Sequence, residues 1–136
     1  MITLATTTQS TTASSELIFK LWEDINHWAD YDQGIEWAKL NEPFVSGSHY
    51  TLKPKGGPKV KATILEVEPG KTFVDVSHLL GANLRFDHTI KSGSVSITMT
   101  LSGPLSWLWA KILGKNQQAD LERSTANLIS KAEGRS

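Results

Sequence analysis

The stretch from Gly103-Pro104 to Glu133 constrains this chain more than any other. Its apolar residues recur with a helical period, and it follows a series of short strand-like segments. If unbroken, such a helix would span roughly 45 Å, more than the diameter of a small domain. In a chain of 136 residues it has one place to lie, across the face of a sheet. Pro104 falls in the first turn, where a missing N–H is harmless. Leu105, Leu108, Trp109, Ile112 and Leu113 form a first stripe. After polar Lys115-Asn116-Gln117-Gln118 the stripe resumes at Leu121, Thr125, Leu128, Ile129 and Ala132. Gly114, between the two, marks a bend or a break.

The segments before this helix are ordered strand, two short helices, then about six strands. Met1 to Thr8 is rich in β-branched threonine and reads as a strand. Ser14-Ser15-Glu16-Leu17 offers an N-cap with an acid in the first turn. Leu17, Ile18, Leu21 and Trp22 then share one helical face. Ile25, Trp28 and Tyr31, three apart, form a second short helix or turn ending near Gly34. From Ile35 onward the pattern changes to strands punctuated by Asn41-Glu42-Pro43, Pro54-Lys55-Gly56-Gly57-Pro58, Glu68-Pro69-Gly70, Gly81-Ala82-Asn83 and Ser92-Gly93. In the last strand Val95, Ile97, Met99 and Leu101 alternate with serine and threonine, the signature of a half-buried antiparallel strand. No internal repeat or linker divides residues 1–136, so they read as one domain.

Fourteen basic and fourteen acidic side chains cancel, which gives no overall attraction to nucleic acid. The absence of cysteine removes disulfides, thiolate metal sites and a cysteine nucleophile. No phosphate-binding glycine loop, His-Glu-x-x-His pair or Gly-x-Ser-x-Gly elbow is present. Gly56-Gly57 sits in a hairpin between prolines and lacks the context of a nucleotide loop. The N-terminal residues carry no signal-peptide pattern, and no run approaches the length of a membrane span. The expectation is a soluble cytoplasmic protein, a monomer or weak homodimer, without stable membrane insertion, metal or cofactor.

Several local phrases resemble the START-like (SRPBCC) superfamily with the helix-grip fold, in particular its polyketide cyclase/dehydrase branch. Ser14 to Asp24 resembles the first helix, and Trp28-Ala29-Asp30-Tyr31-Asp32 the second. Val67-Glu68-Pro69-Gly70-Lys71-Thr72-Phe73 resembles the turn into a central strand, and Leu121 to Glu133 the close of the final helix. The resemblance covers about residues 2–133. It implies an α+β fold with a curved antiparallel sheet of about seven strands wrapped around a long C-terminal helix, with two short helices after the first strand. It also implies a cavity between sheet and helix that takes a small hydrophobic molecule: a lipid, an isoprenoid or a polyketide. No catalytic signature transfers with it. Binding or transport, a cyclase/dehydratase-type reaction on an aromatic precursor, and an interaction module with a filled cavity are all compatible with it.

Candidate site residues follow from strand parity and helical face. Trp37, Tyr50, Phe86 and Trp109 are aromatic rings expected near the cavity, each equally suited to core filling. Met99, Leu105 and Ile112 complete its apolar lining. His88, between Phe86 and Ile90, is placed inward, either as a core histidine bonded to backbone or as an acid/base. The strand Lys71–Leu79 is ambiguous. Its more apolar parity directs Val74, Val76 and His78, a further candidate for proton transfer, to the cavity and leaves Phe73, Asp75 and Ser77 outside. The reverse parity would let Asp75 and His88 meet across neighbouring strands as the best acid/base pair. The four histidines, His27, His49, His78 and His88, lack ligand spacing. Trp107 and Trp109 cannot share a helical face, and the exposed one can form a cavity lip, a dimer contact or a membrane-touching edge. Lys53, Lys55, Lys59 and Lys61 gather around one hairpin, as a solvated face or a site for anionic headgroups or an acidic partner.

Overall fold

A computed structural model of the chain describes residues 1–134. Seven strands form one antiparallel sheet: β1 (Ile2–Ser10), β2 (Ile35–Lys39), β3 (His49–Pro54), β4 (Val60–Glu68), β5 (Thr72–Leu79), β6 (Ala82–Lys91) and β7 (Ser94–Ser102). Their spatial order is β1-β7-β6-β5-β4-β3-β2, so the chain meanders from β2 to β7 and the first strand closes beside the last. Register shifts between Thr3 and Ala5, Ile35 and Trp37, and Ile64 and Glu66 interrupt β1, β2 and β4. Such irregularities bend and twist the strands that carry them, which helps the sheet to curl. This is the helix-grip α+β fold expected from the sequence.

Helix α1 (Ser15–Glu23) starts where the Ser14 hydroxyl accepts the Leu17 N–H at 3.2 Å. Its buried face is Ile18, Phe19 and Trp22. The following segment, Ile25–Asp30, is made of 3-10 turns kinked at His27, whose φ of −115° and ψ of 15° are not helical. Ile25 and Trp28, on either side of the kink, are both buried in the core. The Trp28 indole donates to the Trp22 carbonyl at 3.0 Å and ties the two helices together.

The C-terminal region is two helices rather than one. Helix α2 (Ser106–Leu113) ends at Gly114, whose φ of 82° leaves the right-handed helical region, and α3 (Gln117–Ala132) starts afresh. Leu121, Thr125, Leu128 and Ile129 of α3 are buried. Helix α3 is fastened to β1 by polar contacts: Gln118 accepts the Thr6 N–H at 3.0 Å and donates to its carbonyl at 2.7 Å, and Gln9 donates to the Glu122 carbonyl. Helix α2 has no fully buried residue. It is held at its start, where Leu105 sits on Gly81 and its N–H donates to the Gly81 carbonyl at 2.9 Å.

Gly103 makes this docking possible. At φ 106°, a Cβ here would lie 2.9 Å from the Gly81 oxygen and 3.0 Å from the Ala82 Cα. Both atoms are backbone and cannot step aside. Gly114 has a similar φ, but a Cβ there would meet nothing within 4 Å. Gly103→Ala should therefore cost about 2–3 kcal/mol, against about 1 kcal/mol for Gly114→Ala. Urea unfolding of both variants checks this, and equal losses would contradict the close approach at Gly103.

Candidate functional site

The concave face of the sheet is set by the register of β3 to β7. Tyr50 pairs with Ala62, Ala62 with Ser77, Ile64 with Asp75, Phe73 with His88, and Asp75 with Phe86. Directly paired residues share a face. Phe86 pairs on with Met99, and His88 with Ile97. The face that meets the helices therefore carries Tyr50, Phe73, Asp75, Ser77, Phe86, His88 and Met99.

This reverses the expected parity of β5. Phe73, Asp75 and Ser77 point inward, while Val74, Val76 and His78 lie on the convex face. The two valines are nonetheless buried. Their cross-strand neighbours are Glu66, Asp87, Thr63 and Arg85, long or branched side chains that can lie over them. Arg85 is locked there by a fork to Asp87, with its Nε and Nη2 donating at 3.0–3.1 Å. His78 is exposed and reaches Thr63 at 2.8 Å and Asn83 at 3.2 Å. It shares no site with His88.

The other expected lining residues divide. Trp37 is opposite Lys53, on the convex side of β2, and 37% exposed. Ile112 is 60% exposed on α2. Neither faces the interior of the sheet. Leu105 and Trp109 are half-buried, and the Trp109 indole donates to the Leu80 carbonyl at 2.8 Å. Tyr50, His88 and Met99 are buried on the concave face, and Phe86, near its centre, is half-buried.

At the heart of this face is a polar cluster inside an aromatic shell. The Tyr50 hydroxyl donates a short hydrogen bond to Asp75 Oδ2. Asp75 Oδ1 is buried and has no hydrogen-bond partner among the described residues. His88 Nδ1 lies 2.9 Å from the Phe73 carbonyl, so this nitrogen carries the proton and donates. The same nitrogen is 3.9 Å from Asp75 Oδ1, too far for a hydrogen bond. Phe73 stacks on His88 at 4.6 Å between ring centroids, and Trp22 meets its ring edge-on at 5.0 Å. Trp28 packs edge-on against Tyr50 at 5.4 Å. On α3, the Thr125 hydroxyl is also buried without a partner.

Burial decides the charge states. It raises the Asp75 carboxyl from 3.8 to about 7, against the opposing hydrogen bond from Tyr50 and a weaker one from its own backbone N–H. It lowers the His88 imidazole from 6.5 to about 4, against the opposing hydrogen bond to Phe73. The Tyr50 hydroxyl is pushed well above its usual 10 by burial and by Asp75, so it stays protonated. In mildly acidic solution Asp75 and His88 are thus both neutral. Around pH 7 Asp75 sits between donor and acceptor states, with Tyr50 as a fixed donor beside it.

Two depressions lie outside this interior, and neither is lined by Tyr50, Asp75, Phe86 or His88. One, of about 190 Å³, is bordered by Asp24, His27, Asp30, Tyr31 and Lys131. The other, of about 430 Å³, opens where Gly70 and the β6–β7 turn meet the loop before α1. Among the described residues no group of three or more His, Cys, Asp or Glu side chains could hold a metal ion. Likewise, no described helix is long and apolar enough to cross a membrane.

A curled antiparallel sheet gripping C-terminal helices is the helix-grip, START-like class of fold. The chain matches no protein-family model and no curated protein sequence. Solved structures match it along nearly its whole length. Protein TTHA0849 of Thermus thermophilus is 15% identical, with a TM-score of 0.73, over 96% of this chain and 97% of that one. The di-domain ARO/CYC protein StfQ of the steffimycin biosynthetic pathway is 10% identical, with a TM-score of 0.71, over 95% of this chain and 50% of that one. The di-domain ARO/CYC protein BexL of the BE-7585A biosynthetic pathway is 16% identical, with a TM-score of 0.69, over 96% and 50%. The chain thus spans half the length of each di-domain protein.

The opposed shifts of Asp75 and His88 have a measurable signature. Asp75 holds a proton when folded that it has released when unfolded. Its contribution to stability is complete below about 4 and is lost as pH rises towards 7. His88 is neutral when folded and charged when unfolded. Its contribution is complete above 6.5 and is lost as pH falls towards 4. Between about 4 and 6.5 the two slopes oppose each other and nearly cancel. Asp75→Asn, which keeps an acceptor for Tyr50, should leave the His88 slope exposed. Stability would then rise with pH there, relative to the native chain, by up to about 1.4 kcal/mol per unit. His88→Gln should tilt the profile the other way. Urea unfolding at several pH values measures both, and an unchanged profile in Asp75→Asn would refute the paired shifts.

Proposed function

We propose that this domain binds a small, largely apolar molecule bearing one polar group, between the concave face of the sheet and the C-terminal helices. The observation that carries the reading is Asp75 Oδ1, a buried oxygen without a partner on that face. A buried polar atom left unsatisfied costs about 1–3 kcal/mol, and a bound molecule that hydrogen-bonds to it would recover that. In the same cross-strand row, Phe86 is only half-buried although it lies on a central strand. The rings of Phe73, Phe86 and Trp22 supply apolar walls, and Tyr50, Asp75 and His88 supply the orienting groups. A ligand hydroxyl would donate to Asp75 as carboxylate, and a ligand carbonyl would accept from it as carboxylic acid.

A second reading, a cyclase- or dehydratase-type reaction on an aromatic precursor, draws on the same residues. Tyr50 and Asp75 are two titratable groups within hydrogen-bond reach, and Asp75 titrates near neutral pH, where an acid/base is most effective. The ARO/CYC proteins with this fold make the reading reasonable without supplying a residue role. His88 is the weaker base of the cluster: its Nδ1–H is committed to the Phe73 carbonyl, which leaves only Nε2 to accept a proton, and burial lowers the imidazole to about 4.

Native mass spectrometry of freshly purified protein tests the binding reading without assuming a ligand. A bound species of defined mass, lost or weakened at least about ten-fold in Asp75→Ala and in Phe86→Trp, is the expected result. Protein that carries nothing, and takes up nothing from an extract of apolar metabolites, would reject it. Turnover of the bound species, abolished by Asp75→Asn, would establish the second reading over simple binding.

A further inference from the structure

We infer that one end of the sheet, built from α2, the β5–β6 turn and the β3–β4 hairpin, is a docking surface for an anionic lipid membrane. Antiparallel register places these segments together. Lys61 of β4 pairs with His78 of β5, so the β3–β4 hairpin and the β5–β6 turn leave the sheet at the same end. The Trp109 bond to the Leu80 carbonyl and the Leu105 bond to Gly81 fix α2 to that turn.

The surface carries apolar side chains that nothing in the fold buries. Leu80 is 82% exposed, Ile112 60% and Trp107 56%, with Leu108 beside them. Leu108 and Ile112 are one helical turn apart on α2, and Trp107 is adjacent to Leu108. Leu17, Val45 and Leu65 are exposed elsewhere, but Leu17 and Leu65 have Glu16 and Glu66 as sequence neighbours. The α2 end differs in charge. Residues 76–86 and 88–119 contain no Asp or Glu, although the whole chain has fourteen. Lys111 and Lys115 lie on and after α2, and exposed Lys55, Lys59 and Lys61 border the hairpin. Lys111 is 5.6 Å from the Trp107 ring centroid. Near the hairpin, Glu36 is paired with Lys53 at 2.5 Å, and Asp32 interacts with Lys55, which leaves Lys59 and Lys61 as the hairpin cations without a recorded acidic partner among the described residues.

A chain of zero net charge has therefore gathered cations and exposed apolar groups at one end. A short helix with Trp and Leu flanked by lysine matches the headgroup region of a bilayer. There the indole lies at the interface, aliphatic side chains reach the acyl boundary and lysines meet lipid phosphates. Attachment of this kind is peripheral and reversible. It stands independently of the interior site, although an apolar ligand would be conveniently collected from such a surface.

Flotation of the full chain with phosphatidylcholine vesicles, with and without phosphatidylglycerol, tests the inference. Binding should require phosphatidylglycerol and fall with added salt. Lys55→Glu with Lys59→Glu should weaken it about ten-fold or more, and Trp107→Ser with Ile112→Ser should remove it. All four positions are exposed, and unchanged thermal unfolding would show that the variants fold. The tryptophan emission of the native chain should shift to the blue on binding, and Trp107→Phe should lose most of that shift. No binding, equal binding to neutral vesicles, or indifference to these substitutions would overturn the inference. So would a dimer in analytical ultracentrifugation that Trp107→Ser with Ile112→Ser dissolves, because the apolar face would then belong to a second copy.

Discussion

The pairing of β1 with β7 is the constraint on which the rest of this structure depends. It joins residues from opposite ends of the chain, Ile2 with Leu101 through Ser10 with Ser94. Without it β7 would be an edge, and α3 would lose its firmest seat. Helix α3 packs chiefly on β1, through buried Leu121, Thr125, Leu128 and Ile129 and the Gln118 and Gln9 bonds. The meander from β2 to β7 is local and forms from neighbouring hairpins. Closure by β1 is long-range and fixes the geometry of the concave face. Contacts of such sequence separation form late and slowly, because the loop entropy is lost before the contact compensates for it.

That face is then a low-dielectric interior with three ionisable groups buried in it. An aspartate and a histidine buried together would ordinarily form an ion pair. Here they are 3.9 Å apart through the wrong nitrogen, because His88 Nδ1 is committed to the Phe73 carbonyl. Desolvation consequently wins for both, and each is held in its uncharged form in mild acid. Folding in effect moves a proton from the histidine to the aspartate with little net uptake. An uncharged polar cluster is also easier to keep in an apolar interior than a charged one.

Much of the architecture was legible in the sequence, and the errors have definite physical origins. The strict alternation of Val95, Ile97, Met99 and Leu101 gave β7 its true inward face, since its other face is only serine and threonine. Ile25, Trp28 and Tyr31 are spaced for a short helix or turn, and kinked 3-10 turns are found there. In β5, by contrast, hydrophobicity pointed to the wrong face, because both faces are buried. Val74 and Val76 lie beneath charged neighbours on the convex side, while Asp75 and Ser77 face the core. Only the register, with Tyr50 and Ile64 converging on Asp75, resolves this, and register is a property of pairs of strands. Ile112 and Trp37 failed for a related reason, since amphipathic spacing identifies a stripe but not whether anything comes to cover it. Gly114 is where the expected long helix divides, and the two parts then have different fates.

That division links the interior to the surface. Helix α3 is buried along one face, whereas α2 buries nothing completely: Trp109, Ala110 and Leu113 pack part-buried against the core, and Leu105 and the Trp109 indole, through its bond to Leu80, tie its start to the β5–β6 turn. The residues that hold α2 to the fold are thus distinct from Trp107 and Ile112, which it presents outward. The same short helix can therefore cover the open side of the sheet and offer an apolar surface without conflict between the two.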